Sequence, residues 1–199
     1  MRTGVRQPVA GLILAAGASR RMGQPKQLLD WNGRPLVRAV AETALAGALD
    51  PLLVVVGHAQ AQVLTALSGL PLTAVVNPDY AEGQSGSLRA GVEGLPPNTP
   101  AVVVLLGDQP FVTPAIIAAL CDAWRESGAP IVAPLYQGRR GNPVLFAQAL
   151  FPELLAVSGD QGARALIAAD PARVQLVPFD DAGPLADIDT PEDYERVSG

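Results

Sequence analysis

The chain has 199 residues, a net charge of −5, 49% hydrophobic and only 17% charged residues. It is long enough for one domain with a sizeable core and too apolar to be disordered. An acidic balance leaves no basic footprint for nucleic acid. Glycine, proline or charge interrupts every apolar run before it could span a bilayer, so neither a nucleic-acid nor a membrane partner is expected. The single cysteine, Cys121, excludes an internal disulfide framework and is expected to pack a helix. The first apolar run, residues 9–16, lacks a signal-peptide core and cleavage pattern and reads as a buried strand, so a cytoplasmic protein is expected.

In chain order, strands are predicted at residues 9–15, 52–56, 72–76, 101–106, 131–133 and 174–179. Helices are predicted at 36–45, 59–67, 85–94 and 114–126. Four of the strands are near-continuous Val/Leu/Ile/Ala runs, the pattern of strands covered on both faces. Thr113-Pro114 reads as a helix cap followed by proline in the first turn. Residues 136–170 are less regular. The turn cluster Gly138-Arg139-Arg140-Gly141-Asn142-Pro143 precedes a short strand at 144–146. Helical segments at 147–156 and 161–169 follow, broken by Ser158-Gly159-Asp160. This region is expected to be an insertion or small lobe beside the sheet, where an acceptor substrate could sit. Thr190-Pro191-Glu192-Asp193 starts a final helix, with acidic residues placed toward its dipole. The alternation predicts a single α/β domain over residues 1–199, a three-layer, Rossmann-like, mostly parallel sheet.

Chemistry concentrates after the first strand. The loop there holds Ala15, Ala16, Gly17, Ala18, Ser19 and Gly23, small residues that let backbone approach a ligand. Arg20, Arg21 and Lys26 bring cationic donors to the same place, and successive loop N–H groups can form an anion-binding concavity. Together these are the parts of a polyphosphate cradle. Neither G-x-G-x-x-G nor G-x-x-x-x-G-K-[ST] is present. Asp108 follows the apolar run 102–106 and a glycine, where open α/β sheets bind ligands. It suits a Mg²⁺ ligand, since magnesium takes one or two carboxylates with phosphate and water oxygens; the alternative is a cap of the local turn. Asp187 and Asp189 point to one side of an extended segment, and either could supply a second carboxylate or cap the last helix. His58, the only histidine, reads as a loop donor. Arg139 and Arg140 either meet an anionic ligand or flank a solvated turn. No Ser/His/Asp or Cys/His set can be assembled.

In this order the motifs resemble the MobA-like NTP transferases of molybdenum cofactor biosynthesis. The matching stretches are Leu14-Ala15-Ala16-Gly17 through Gly23 with Lys26, residues 54–58, Asn77 through Arg89, and residues 106–110. Residues 140–144, 159–163 and 187–193 complete the set. Residues 84–89 and 140–163 point to the molybdenum cofactor cytidylyltransferase branch. The resemblance implies a nucleotide-diphospho-sugar transferase type of fold with a small acceptor-binding insertion. It implies transfer of CMP from CTP to the molybdenum cofactor (molybdopterin), giving molybdopterin cytosine dinucleotide and pyrophosphate. Leu14-Ala15-Ala16-Gly17 looks like the CTP type, whereas GTP-using relatives tend to carry Leu-Ala-Gly-Gly.

By the same resemblance, Leu14, Ala15, Ala16, Gly17 and Ser19 would line the nucleotide, and Arg20 and Lys26 would hold its phosphates. Asn77, Gly83, Ser85 and Ser87 would form the base and ribose segment, although both serines also begin a helix and could cap it. Asp108 with Asp189 would hold Mg²⁺, with Mn²⁺ as a substitute. Arg140 and Asn142 would meet the acceptor. Asn142 stands where many relatives carry His; it can donate a hydrogen bond but not shuttle a proton at neutral pH. The implied partners are CTP, molybdopterin, and a molybdoenzyme or its maturation factor. Two alternatives remain: a related transferase using GTP or another phosphorylated acceptor such as methylerythritol phosphate, and a non-catalytic protein delivering a nucleotide or pterin.

Overall fold

The computed structural model describes residues 7–19, 22–159, 162–185, 188 and 190–198. Its elements in chain order are β1 (Ala10–Ala15), α1 (Leu36–Ala46), β2 (Leu52–Val56), α2 (Gln60–Ala66), β3 (Thr73–Val76), α3 (Gln84–Glu93), β4 (Ala101–Leu106) and α4 (Pro114–Ser127). There follow β5 (Ile131–Tyr136), β6 (Arg139–Arg140), β7 (Val144–Ala147), α5 (Phe151–Ala156), α6 (Arg164–Ala169), β8 (Val174–Phe179) and α7 (Pro191–Ser198). The strands form one sheet with neighbours in the order β3-β2-β1-β4-β7-β5, and β6 and β8 both pair with β5. The β1–β2, β1–β4, β2–β3 and β5–β8 pairs are parallel, while β7 and β6 run antiparallel to their neighbours. This is the α/β, mostly parallel architecture expected.

Strand alternation builds two cores. Ile13 and Ala15 of β1, with Val54, Val56, Val103 and Leu105, pack beneath α1, α2 and α4 through Val40, Val63, Ile117 and Leu120. Leu12 of β1, with Leu53, Val55, Val102 and Val104, packs on the opposite side against Leu88 and Val92 of α3, Leu154 of α5 and Ile167 of α6. Because successive side chains leave opposite faces of a strand, helices cover both sides and make three layers. Cys121 is buried within α4, as expected. Thr113 caps that helix, its side chain accepting from the Ile116 N–H at 3.3 Å, with Pro114 in the first turn. At the last helix the Thr190 hydroxyl accepts the Asp193 N–H while the Asp193 carboxylate accepts the Thr190 N–H, a reciprocal cap.

The region 136–170 differs from the lobe expected beside the sheet, because β7 runs inside the sheet between β4 and β5. Val144, Leu145 and Phe146 are all buried, so the short run belongs between two strands rather than at an edge. Strand β5 also continues past the predicted end at 133. Pro134 lies between the β7 pairing at 131–132 and the β6 pairing at 135–136, a point where no ladder donor is required. The predicted helix at 147–156 divides into a 3-10 turn, Gln148–Leu150, and α5. The segment predicted to be helical from 161 becomes α6 only at Arg164, and residues 160 and 161 lie outside the described residues.

Tyr136 anchors this region. Its buried phenol donates to the Asn142 carbonyl at 2.7 Å. Burial, with a smaller contribution from the Asp181 carboxylate, holds its ionisation well above the ordinary tyrosine range. The unfolded chain therefore loses this proton first as pH rises. The contribution to stability is intact below about pH 10 and is lost above it. Tyr136→Phe is expected to cost about 1–3 kcal/mol at neutral pH by stranding the Asn142 carbonyl, and to flatten the alkaline limb of the stability curve. Urea melts at neutral and strongly alkaline pH measure both effects, and an alkaline limb of unchanged slope in the variant would contradict this assignment.

Candidate active site

The strand order places the site. From β1 the chain winds outward through β2 to β3, then returns to β4 on the other side of β1. The order reverses between β1 and β4, and a crevice opens beyond their carboxyl ends, where open α/β sheets bind ligands. Leu14 and Leu106 are register partners at that end, so the loop after β1 and the turn after β4 begin side by side. Gly107 makes the close exit possible. Its N–H donates to the Leu14 carbonyl at 3.0 Å, and a Cβ there would stand 3.0 Å from the Ala15 Cβ.

The crevice is a cleft of about 370 Å³ lined by the loop after β1, the start of α3 and the end of β4. Leu14, Ala15, Ala16, Gly17, Ser19, Lys26, Gly83, Ser87 and Asp108, all singled out in the sequence, line it. Lys26 Nζ lies 3.0 Å from Asp108 Oδ2, both side chains being more than two-thirds buried. The loop and the strand end therefore bring a cation and a carboxylate together across 82 residues of sequence, counting from 26 to 108. Among the described residues, Asp108 makes no hydrogen bond that would cap its turn. The N–H groups of Gly17, Ala18 and Ser19 likewise carry no hydrogen bond among the described residues. Gly83 enters α3 at φ 111°, a conformation glycine adopts without strain, and so turns the first residues of the helix toward the cleft.

Other sequence candidates fall elsewhere. Asn77 and Ser85 are buried and do not line the cleft. The Asn77 side chain accepts from the Asp79 N–H and donates to the Ser87 hydroxyl at 3.1 Å, organising the segment between β3 and α3. Neither serine caps α3: Ser87 takes the Asn77 bond, and the Ser85 hydroxyl has no partner among the described residues. Asn142 lines a second, small cavity of about 50 Å³ that shares Leu14, Gln84 and Leu106 with the main cleft and adds Arg164 and Phe146. Arg139 and Arg140 form the exposed strand β6 and line neither cavity. Arg20, Asp187 and Asp189 lie outside the described residues. His58 packs its ring against Tyr80, with centroids 5.9 Å apart.

Four cleft residues were not singled out from sequence: Gln27, Tyr80, Gln84 and Leu106, the last residue of β4. Gln84 and Tyr80 were within reach of a sequence argument, because they flank Gly83 in a stretch already assigned to the ligand. Gln27 carried no signal of its own, since a glutamine before an apolar run reads as ordinary surface. Among the described residues no three His, Cys, Asp or Glu side chains form a metal cluster. A divalent ion held by one or two carboxylates and completed by phosphate oxygens requires none, so the donor set fits Mg²⁺ or Mn²⁺ bound together with a polyphosphate.

Comparison with known proteins identifies the family and the fold. A family model described as the MobA-like NTP transferase domain matches residues 11–175. The chain is 35% identical to nicotine blue oxidoreductase of Paenarthrobacter nicotinovorans, covering 95% of this chain and 96% of that protein. It is 29% identical to the molybdenum cofactor cytidylyltransferase of Escherichia coli K12, with 92% of each covered. Among solved structures, the Rv0371c homologue of Mycobacterium sp. strain JC1 superposes with a TM-score of 0.87 at 34% identity, covering 96% of both chains. Rv0371c of Mycobacterium tuberculosis H37Rv, solved as a complex with manganese, superposes at 0.80 with 30% identity, covering 96% of this chain and 98% of that one.

Proposed function

The chain belongs to the MobA-like NTP transferase family and is a nucleotidyltransferase, and we propose that it transfers CMP from CTP to molybdopterin, yielding molybdopterin cytosine dinucleotide and pyrophosphate. The observation that carries this reading is the contact between Lys26 and Asp108 at the mouth of a glycine-lined cleft. Support for the acceptor comes from the E. coli cytidylyltransferase relative, which this chain matches over 92% of its length. Support for CTP comes from Leu14-Ala15-Ala16-Gly17, the four residues that form one wall of the cleft.

In this reading the loop N–H groups of residues 17–19 and the Lys26 ammonium receive the triphosphate. Arg20, Asn77 and Ser85 are assigned to nucleotide binding with them, Asn77 and Ser85 by shaping the segment that carries Ser87 and Gly83. Asp108, with Asp189 as its partner, would hold Mg²⁺ or Mn²⁺, which would supply charge neutralisation to the triphosphate. An acceptor phosphate oxygen bonds to the α-phosphorus, the bond from that phosphorus to the bridging α–β oxygen breaks, and pyrophosphate leaves with the electron pair. No side-chain nucleophile is needed. The chain contributes positioning and charge complementarity, with Lys26 matching the negative charge that builds on the departing pyrophosphate. The acceptor would approach through the second cavity, which Asn142 lines, and Arg140, exposed on β6 outside both cavities, is assigned to its anionic group.

Pyrophosphate release measured with each of the four NTPs and molybdopterin tests the proposal. CTP is expected to support turnover well above the other three. Preference for GTP, or turnover of methylerythritol phosphate in place of molybdopterin, would reverse the substrate assignment. Delivery of the product to a molybdoenzyme or its maturation factor in the cytoplasm completes the proposal. Among the described residues no helix is long and apolar enough to cross a membrane.

A further inference from the structure

We propose that Gln27 is a positioning residue for the nucleotide loop: its carboxamide clasps the loop carbonyls and, through Ser19, fixes the backbone of Lys26 beside Asp108. This inference rests on the reading of the cleft as an NTP site. Gln27 is only 4% exposed, although it lies at the wall of a polar cleft. Its Nε2 donates to the Ala15 carbonyl at 2.9 Å and to the Gly17 carbonyl at 2.7 Å. Its Oε1 accepts from the Ser19 hydroxyl at 3.3 Å, and that hydroxyl accepts the Lys26 N–H at 3.0 Å. Every donor and acceptor is used in a closed circuit from the end of β1, across the loop, to the residue that pairs with Asp108.

The chemistry of the position is restrictive. A phosphate-binding loop needs its N–H groups available and its carbonyl oxygens turned to other partners, because carbonyls repel the anion. Two carbonyls close together require two donors on one rigid group, and the Ser19 hydroxyl requires an acceptor on the same group. Of the side chains of this length only glutamine supplies both. Lysine and arginine have no acceptor, glutamate would set carboxylate oxygens against two carbonyls, and asparagine is one methylene shorter. Ser19 itself sits at φ 50°, in the left-handed region, where a serine is held by its surroundings rather than by its own preference. Its two hydroxyl bonds are such a hold.

The opposing view is that Gln27 is simply a satisfied buried polar group whose loss lowers stability alone. The two views separate in kinetics. Gln27→Met keeps the length and removes the polar atoms; Ser19→Ala removes the bridge to Lys26 with little change in volume. With whichever NTP the wild type uses, Gln27→Met is expected to raise the KM for NTP on the order of 10- to 100-fold, the effect of losing about one well-placed hydrogen bond to a charged phosphate, with kcat of the folded enzyme changing less. Ser19→Ala is expected to raise it several-fold. The double variant should add less than twofold to Gln27→Met, because both act on one circuit. Backbone amide order parameters of residues 15–19 in the ligand-free protein are read alongside, and the clasp predicts a fall from about 0.85 toward about 0.6 there in both variants with sheet amides unchanged. A KM within twofold of wild type together with a lowered melting temperature, or effects that multiply independently, would overturn the inference. Absence of pyrophosphate release by the wild type with every NTP would refute the function proposed above, while the order-parameter measurement still decides the clasp.

Discussion

Lys26→Met is expected to lower kcat/KM for nucleotidyl transfer by about 10²- to 10³-fold, the loss seen when one donor to developing charge is removed from a preorganised site. The cause is geometric. Lys26 is presented at the cleft by the turn that follows the loop, and its Nζ lies 3.0 Å from Asp108 with only 14% of the side chain exposed. A cation so placed needs no reorganisation as charge builds on the leaving pyrophosphate. Stability is affected far less. The pair is neither fully buried nor fully solvated, and losing its lysine costs about 1 kcal/mol, which moves the melting temperature by about 2–4 °C in a domain of this size. A folded fraction that hardly changes cannot account for a loss of two to three orders of magnitude, so the deficit is chemical. Steady-state kinetics and a thermal melt on the same sample check this, and a variant as active as wild type would remove Lys26 from the mechanism.

Asp108→Asn separates charge from shape. Asparagine keeps the size and can still accept from Lys26, but it gives up the carboxylate a divalent ion requires. Metal-dependent pyrophosphate release is expected to fall on the order of 10³-fold, since metal-assisted charge neutralisation is worth several kcal/mol. Metal-free nucleotide should bind as tightly as to the wild type or more so, because a carboxylate in an anion-binding cleft repels phosphate until an ion covers it. Calorimetric titration of nucleotide with and without Mg²⁺, beside the rate measurement, checks both arms. Equal losses in metal-free and metal-bound affinity would point to a collapsed turn instead.

The sequence was most legible where one local rule operated. The buried strands, the Thr113 and Thr190 caps and the small-residue loop after β1 each announce themselves within a few residues, and Lys26 and Asp108 were found as ends of such motifs. Side-by-side placement of the two followed from the reversal of strand order between β1 and β4, which the general rule for open α/β sheets anticipates. Region 136–170 was less legible because β7 is only a four-residue strand preceded by a turn cluster. Whether such a run lies in the sheet or beside it depends on partners far along the chain, here β4 and β5. Pro134 hid the second half of β5 for a similar reason: its tolerance depends on a gap between two neighbouring strands. Asn77 and Ser87 were found, but their mutual hydrogen bond was not, since two polar residues ten apart carry no mark of facing each other. Gln27 was missed because its role comes from two carbonyls folding back upon it.

The central claim is that one cleft, walled by residues 14–19 and closed by Lys26 and Asp108, receives a metal-bound nucleoside triphosphate. Paramagnetic broadening of backbone amide signals by Mn²⁺ with CTP tests it most directly. The account predicts that Gly17, Lys26, Gly107 and Asp108 broaden first, only when metal and nucleotide are both present, and that Asp108→Asn abolishes the effect. Broadening centred on another face of the molecule, or unchanged in the variant, would contradict it.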